Sequence, residues 1–91
     1  MKRDAVVFVV DDDDAVRRGL AALLGAKGYA VETFPTAEAF LAREAPKPPC
    51  CLLADVRMPG MSGLELQAEL KRRCAALPIV VITGHGDVAM A

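Results

Sequence analysis

With 91 residues the chain is one domain at most. Its apolar fraction of 54% argues against intrinsic disorder. A net charge of −1, from eleven Lys and Arg against twelve Asp and Glu, argues against nucleic acid as the main partner. Ala5 to Val10 (AVVFVV) is a continuous, largely β-branched run that predicts a strand buried on both faces. Four aspartates follow, Asp11 to Asp14. Asp14 or a neighbour caps a predicted helix reaching about Lys27, and Gly28 is placed to stop it. Val16, Leu20, Leu23 and Leu24 repeat along this helix as one core-facing stripe. Tyr29 to Phe34 predicts a second strand, and Thr36 caps a short helix to about Glu44. Ala45 to Pro49 is a proline-rich connector that cannot be helix interior. Cys50 to Ala54 predicts a third buried strand that ends on Asp55. After the loop from Val56 to Met61, Ser62 and Glu65 have capping-box spacing at the head of a third helix, along which Leu66, Leu70 and Cys74 repeat. Pro78 to Thr83 predicts a fourth buried strand. Gly84-His85-Gly86 reads as a turn and Asp87 as the cap of a further helix.

The order βαβαβαβ, with apolar strands, calls for a parallel sheet with helices on both sides. The three cysteines, Cys50, Cys51 and Cys74, show no Cys-x-x-Cys or Cys/His ligand spacing, which points to packing residues in a reducing compartment. Met1 to Asp4 leads into only six apolar residues, too few for a signal peptide, and no stretch is long enough to span a membrane. A cytoplasmic chain without membrane contact is expected.

In open parallel sheets, ligand groups gather at the carboxyl ends of the strands. The first strand runs into Asp11-Asp12, the third ends in Asp55 and the fourth in Thr83. If these three strands are neighbours, their side chains converge on one edge. Carboxylates held together repel one another, so one takes up a proton or a cation neutralises them. A hard cation with oxygen ligands suits the second outcome, and Mg²⁺ fits a site that keeps waters for a substrate. An Asp beside Mg²⁺ is then a nucleophile toward phosphorus, and the Thr83 hydroxyl is placed to donate to a phosphoryl oxygen.

The segments VVDDDDAVRRGL, CLLADVRMPGMSGLEL and IVVITGHGDVAMA together resemble the receiver domain of two-component response regulators, most closely its FixJ-type subgroup. The resemblance covers the whole chain as a single receiver domain, residues 1–91. It implies a flavodoxin-like three-layer α/β/α fold with a parallel sheet, and a phosphoacceptor switch rather than an enzyme with turnover. It implies that Asp55 receives the phosphoryl group from a partner sensor histidine kinase and that Thr83 is the switch hydroxyl. Mg²⁺ is implied at Asp11, Asp12, Asp55 and the backbone carbonyl of Arg57. Met58, Pro59 and Gly63 match residues that shape the loop and let the third helix start close by. Family members continue through a fifth strand, ending in a Lys that contacts the phosphoryl group, and further helices. The sequence stops at Ala91. A carboxyl-terminally truncated domain is therefore expected, with slower phosphotransfer and with self-association through the open edge of the fourth strand, Ile79 to Ile82.

Two other readings stand beside this one. A protein-interaction fragment that is not phosphorylated needs none of the site chemistry. A phosphohydrolase of the haloacid-dehalogenase type also uses a strand-end Asp with Mg²⁺, but it calls for Asp-x-Asp-Gly-Thr, whereas Asp13 is followed by Asp14-Ala15. Asp13 and Asp14 read as helix-start residues. Arg17 and Arg18 read as a solvated helix face, and His85 as a loop residue without a catalytic role.

Overall fold

Four strands form one parallel sheet in the computed structural model, which describes residues 5–43, 50–73 and 77–82. The elements are β1 (Val6–Val10), α1 (Asp14–Ala26), β2 (Ala30–Phe34), α2 (Ala37–Leu41), β3 (Cys50–Asp55), α3 (Gly63–Arg72) and β4 (Ile79–Ile82). Their order across the sheet is β2-β1-β3-β4. The parallel, doubly wound arrangement expected from the sequence is present, and β1, β3 and β4 are neighbours as the site requires.

Side-chain alternation divides the apolar residues of β1 between two faces. Phe8 and Val10 join Leu52 and Ala54 of β3, Ala37 and Phe40 of α2, and Leu66 and Leu70 of α3 in the main core. Phe8 and Phe40 lie with ring centroids 5.3 Å apart, and Phe34 meets Phe40 edge-on at the same distance. Burial of each large apolar side chain here stabilises the fold by about 1.5–3 kcal/mol. Val7 and Val9 point to the opposite face, where α1 packs on β1 and β2.

Local signals set the helix ends. Asp13, rather than Asp14, caps α1 by accepting from the Ala15 and Val16 amides. Gly28 takes a left-handed φ of 96° just past its last turn. Thr36 caps α2, and Ser62 with Glu65 forms the reciprocal capping box of α3.

Three expectations are corrected. The stripe of α1 is not core, because Val16 is 39% and Leu23 56% exposed and no α1 residue is fully buried. Its spacing fixes a common face but not how much material lies over it. The strands are not all buried on both faces: β2 and β4 are edge strands in which buried residues are lacking, whereas β1 is buried from Val7 onward. Helix α2 stops at Leu41, short of Glu44, because the chain turns at Arg43. The Arg43 guanidinium pairs with Glu32 at 3.0 Å and lies over the Phe8 ring at 4.8 Å, an arrangement that ties the end of α2 to the sheet. Residues 45–49, Cys74, Thr83, the Gly84-His85-Gly86 turn and Asp87 lie outside the described residues. Among the described residues, no helix is long and apolar enough to cross a membrane.

Candidate metal centre at the carboxyl edge of the sheet

Pairing of Val10 with Ala54 brings the residues that follow, Asp11 and Asp55, to the same level at the carboxyl edge. Asp12 comes next in the β1–α1 loop. One carboxylate oxygen from each of Asp11, Asp12 and Asp55 lies within 4.8 Å of the others. Asp11 and Asp55 are buried, at 8% and 3% exposure, and Asp12 is open to solvent. The donor set is all oxygen, with one face open to water, which suits a hard divalent cation that keeps part of its hydration shell.

The backbone holds these carboxylates in place. Asp11 Oδ1 accepts from the Asp13 amide at 2.8 Å, and the Asp11 amide donates to the Phe34 carbonyl at 3.1 Å. Asp55 Oδ1 accepts from the Arg57 amide at 3.2 Å. That contact places Arg57 in the loop directly after Asp55. Gly63 closes the loop from the other side, where its amide donates to the Val56 carbonyl at 3.3 Å. A Cβ on Gly63 would stand 2.4 Å from the Asp55 carbonyl oxygen, so only glycine lets α3 begin this close to β3.

Burial pushes the Asp11 carboxyl above the ordinary value of 3.8. Asp55, Asp12 and Asp13 push in the same direction, and the bond from the Asp13 amide opposes them. A carboxyl raised in the folded state favours the protonated fold. Its contribution to stability is full below 3.8 and is lost as pH rises through the folded-state value. In metal-free protein Asp11 is therefore expected to subtract from stability as pH rises above 3.8. Asp11→Asn is expected to flatten that slope. Urea midpoints taken at half-unit pH steps in EDTA check this, and parallel slopes for the two proteins would contradict it.

Of the residues singled out in the sequence, the structure gathers Asp11, Asp12 and Asp55, places Arg57 beside them, and does not describe Thr83. Arg18 is exposed as expected, at 76% of its side chain, but Arg17 is only 16% exposed. Arg17 Nη1 donates to the Asp11 carbonyl at 2.7 Å and Nη2 to Asp14 Oδ1 at 2.9 Å. The sequence signal for this role is slight: an Arg three residues after Asp14, one turn into a helix that opens on an acidic loop. Of the described cysteines, Cys50 and Cys51 are both half-buried, and the expected packing role is seen at Cys50. Cys50 packs against the core, and burial raises its thiol further above its ordinary range.

Comparison with known proteins places this geometry in a family. The family described as the response regulator receiver domain matches residues 7–91. Transcriptional regulatory protein FixJ of Azorhizobium caulinodans is 50% identical over 91 residues, which is all of this chain and 43% of that protein. The structure of response regulator StyR superimposes with a TM-score of 0.86 at 51% identity, over 97% of this chain and 44% of StyR. Response regulator protein TrrA from Thermotoga maritima, solved in complex with Mg²⁺ and BeF, superimposes with a TM-score of 0.80 at 28% identity, over 90% of this chain and 71% of TrrA. The chain spans less than half the length of the FixJ and StyR proteins it matches.

Proposed function

The chain belongs to the response regulator receiver domain family, and from that premise we propose that it is a phosphoacceptor switch whose acceptor is Asp55. The observation that carries this reading is the buried Asp55 carboxylate at a strand end, within 4.8 Å of Asp11 and Asp12. Asp11, Asp12 and Asp55, with the carbonyl of Arg57, are the groups that would hold Mg²⁺. The three-carboxylate donor set fits that ion, and TrrA was captured with Mg²⁺ and BeF. Bound there, Mg²⁺ would neutralise the carboxylates and lower the repulsion between an anionic acceptor and an anionic phosphoryl group.

The donor is a sensor histidine kinase carrying a phosphohistidine. An Asp55 oxygen forms the new bond to phosphorus, the phosphorus–nitrogen bond breaks, and the imidazole keeps the electron pair and takes up a proton. The product is an acyl phosphate. Thr83, one residue beyond the β4 residue paired with Asp55, is the hydroxyl that would follow the phosphoryl group. The chemistry is one transfer onto the protein itself, without turnover of a separate substrate, in a cytoplasmic chain whose output is control of transcription, as in FixJ.

The 91-residue chain, incubated with acetyl phosphate and Mg²⁺, is expected to gain the mass of one phosphoryl group. Asp55→Asn, or omission of Mg²⁺, is expected to abolish the gain. Equal labelling of Asp55→Asn would overturn the assignment, and no labelling of the parent chain at any donor concentration would favour an interaction module that is not phosphorylated.

A further inference from the structure

We propose that Arg17 is a positioning residue for the cation site, fixing the Asp11–Asp12 segment through a two-pronged clamp. This inference rests on the reading of that site given above. The Asp11 carbonyl belongs to the first residue beyond β1. Arg17 Nη1 takes it at 2.7 Å while Nη2 takes Asp14 Oδ1 at 2.9 Å. The Asp11 peptide is thereby held on both sides, by the Phe34 carbonyl at its amide and by Arg17 at its carbonyl. The next links close the segment. Asp13 donates its amide to the Asp11 carboxylate, caps α1 with its own side chain, and accepts at its carbonyl from the Arg17 amide at 3.0 Å. Arg17 thus ties the start of α1 to the residue that supplies one carboxylate and leads into the next. Its side chain is 16% exposed, whereas that of Arg18, paired with the same Asp14, is 76% exposed.

A guanidinium bound to the Asp11 carbonyl and the Asp14 carboxylate has a competing role as a simple counter-charge to this acidic segment, and the two roles have opposite consequences. A counter-charge competes with Mg²⁺, so removing it tightens metal binding, and Lys replaces it well. A clamp sets ligand geometry, so removing it weakens binding, and Lys fails because a single ammonium cannot reproduce the planar fork.

The test measures Mg²⁺ affinity by calorimetry on the 91-residue chain and the variants Arg17→Lys, Arg17→Gln, Arg18→Ala and Asp12→Asn. Melts in EDTA confirm that each one folds. Arg17→Lys and Arg17→Gln are expected to bind Mg²⁺ about tenfold more weakly, in line with partners that orient metal ligands, and Arg18→Ala is expected to bind as the parent does. If Arg17→Gln does not fold, Arg17→Lys, which keeps charge and stem, decides the question. Tighter binding by Arg17→Gln, or parental affinity in Arg17→Lys with only a lower melt in EDTA, overturns the clamp. Weaker binding by Asp12→Asn alone removes this inference and leaves the site intact. A parent chain that does not bind Mg²⁺ removes both.

Discussion

Asp55→Asn is expected to be more stable than the parent chain in EDTA and to gain almost nothing from Mg²⁺. Asparagine has the shape of aspartate and keeps an oxygen for the Arg57 amide, so the packing around this 3%-exposed side chain is preserved. What changes is charge. Two unit charges about 4 Å apart interact by about 4 kcal/mol at an effective dielectric near 20. Water at the exposed Asp12 side reduces this, leaving an expected relief on the order of 1–3 kcal/mol. For the parent, Mg²⁺ at a hundredfold excess over its dissociation constant adds about 2.7 kcal/mol. The order of stabilities is therefore expected to narrow or invert when EDTA is exchanged for Mg²⁺. Urea unfolding of both proteins in both buffers checks this. An Asn variant less stable than the parent in EDTA would show that the carboxylates do not repel one another in the fold.

Gly63→Ala is expected to destabilise the protein by about 3 kcal/mol or more, at the upper end for overpacked sites. The added methyl would meet the Asp55 carbonyl oxygen at 2.4 Å, the Asp55 carbonyl carbon at 3.0 Å and the Val56 Cα at 3.2 Å. All three are backbone atoms, and the Val56 amide is itself paired with the Ile82 carbonyl at 2.9 Å. Relief requires α3 to back away from β3 or the Asp55 peptide to tilt, and the second movement displaces the acceptor carboxylate. The helix propensity gained by replacing glycine, about 1 kcal/mol at most, does not offset this. Gly19→Ala has the opposite expectation. Gly19 lies inside α1 with nothing within 4 Å of a new Cβ, so a gain of about 0.5–1 kcal/mol is expected. Two glycine-to-alanine changes of opposite sign, read by thermal melts, separate steric closure at the site from backbone entropy. Destabilisation of both by similar amounts would sink the argument.

The elements and their caps were legible because their causes are local. The β-branched runs, the Thr36 cap and the Ser62–Glu65 box act over a few residues, and the structure reproduces them. The convergence of Asp11, Asp12 and Asp55 was legible because a parallel sheet brings strand ends to one edge whatever the side chains. Long-range features were not. The spacing of Val16, Leu20, Leu23 and Leu24 records a common face but carries no information on what lies over it. Arg17 and Arg18 look alike in sequence, and only the course of the β1–α1 loop sends one guanidinium back to the Asp11 carbonyl while the other meets solvent.

The sheet order has a consequence during synthesis. Of the four strands β1 is made before the others, yet Val6 must pair with Ala30 on one side and with Cys50 on the other before the strand is enclosed. Its unbroken apolar run stays without its second neighbour until α1, β2, α2 and the connector have all been made. The entropy of closing that long loop is lost before the β1–β3 contacts repay it, which slows their docking relative to the β1–β2 pairing. During that interval the apolar run of β1 lacks one of its two neighbours, and an unpaired apolar edge of this kind is what a holding chaperone protects.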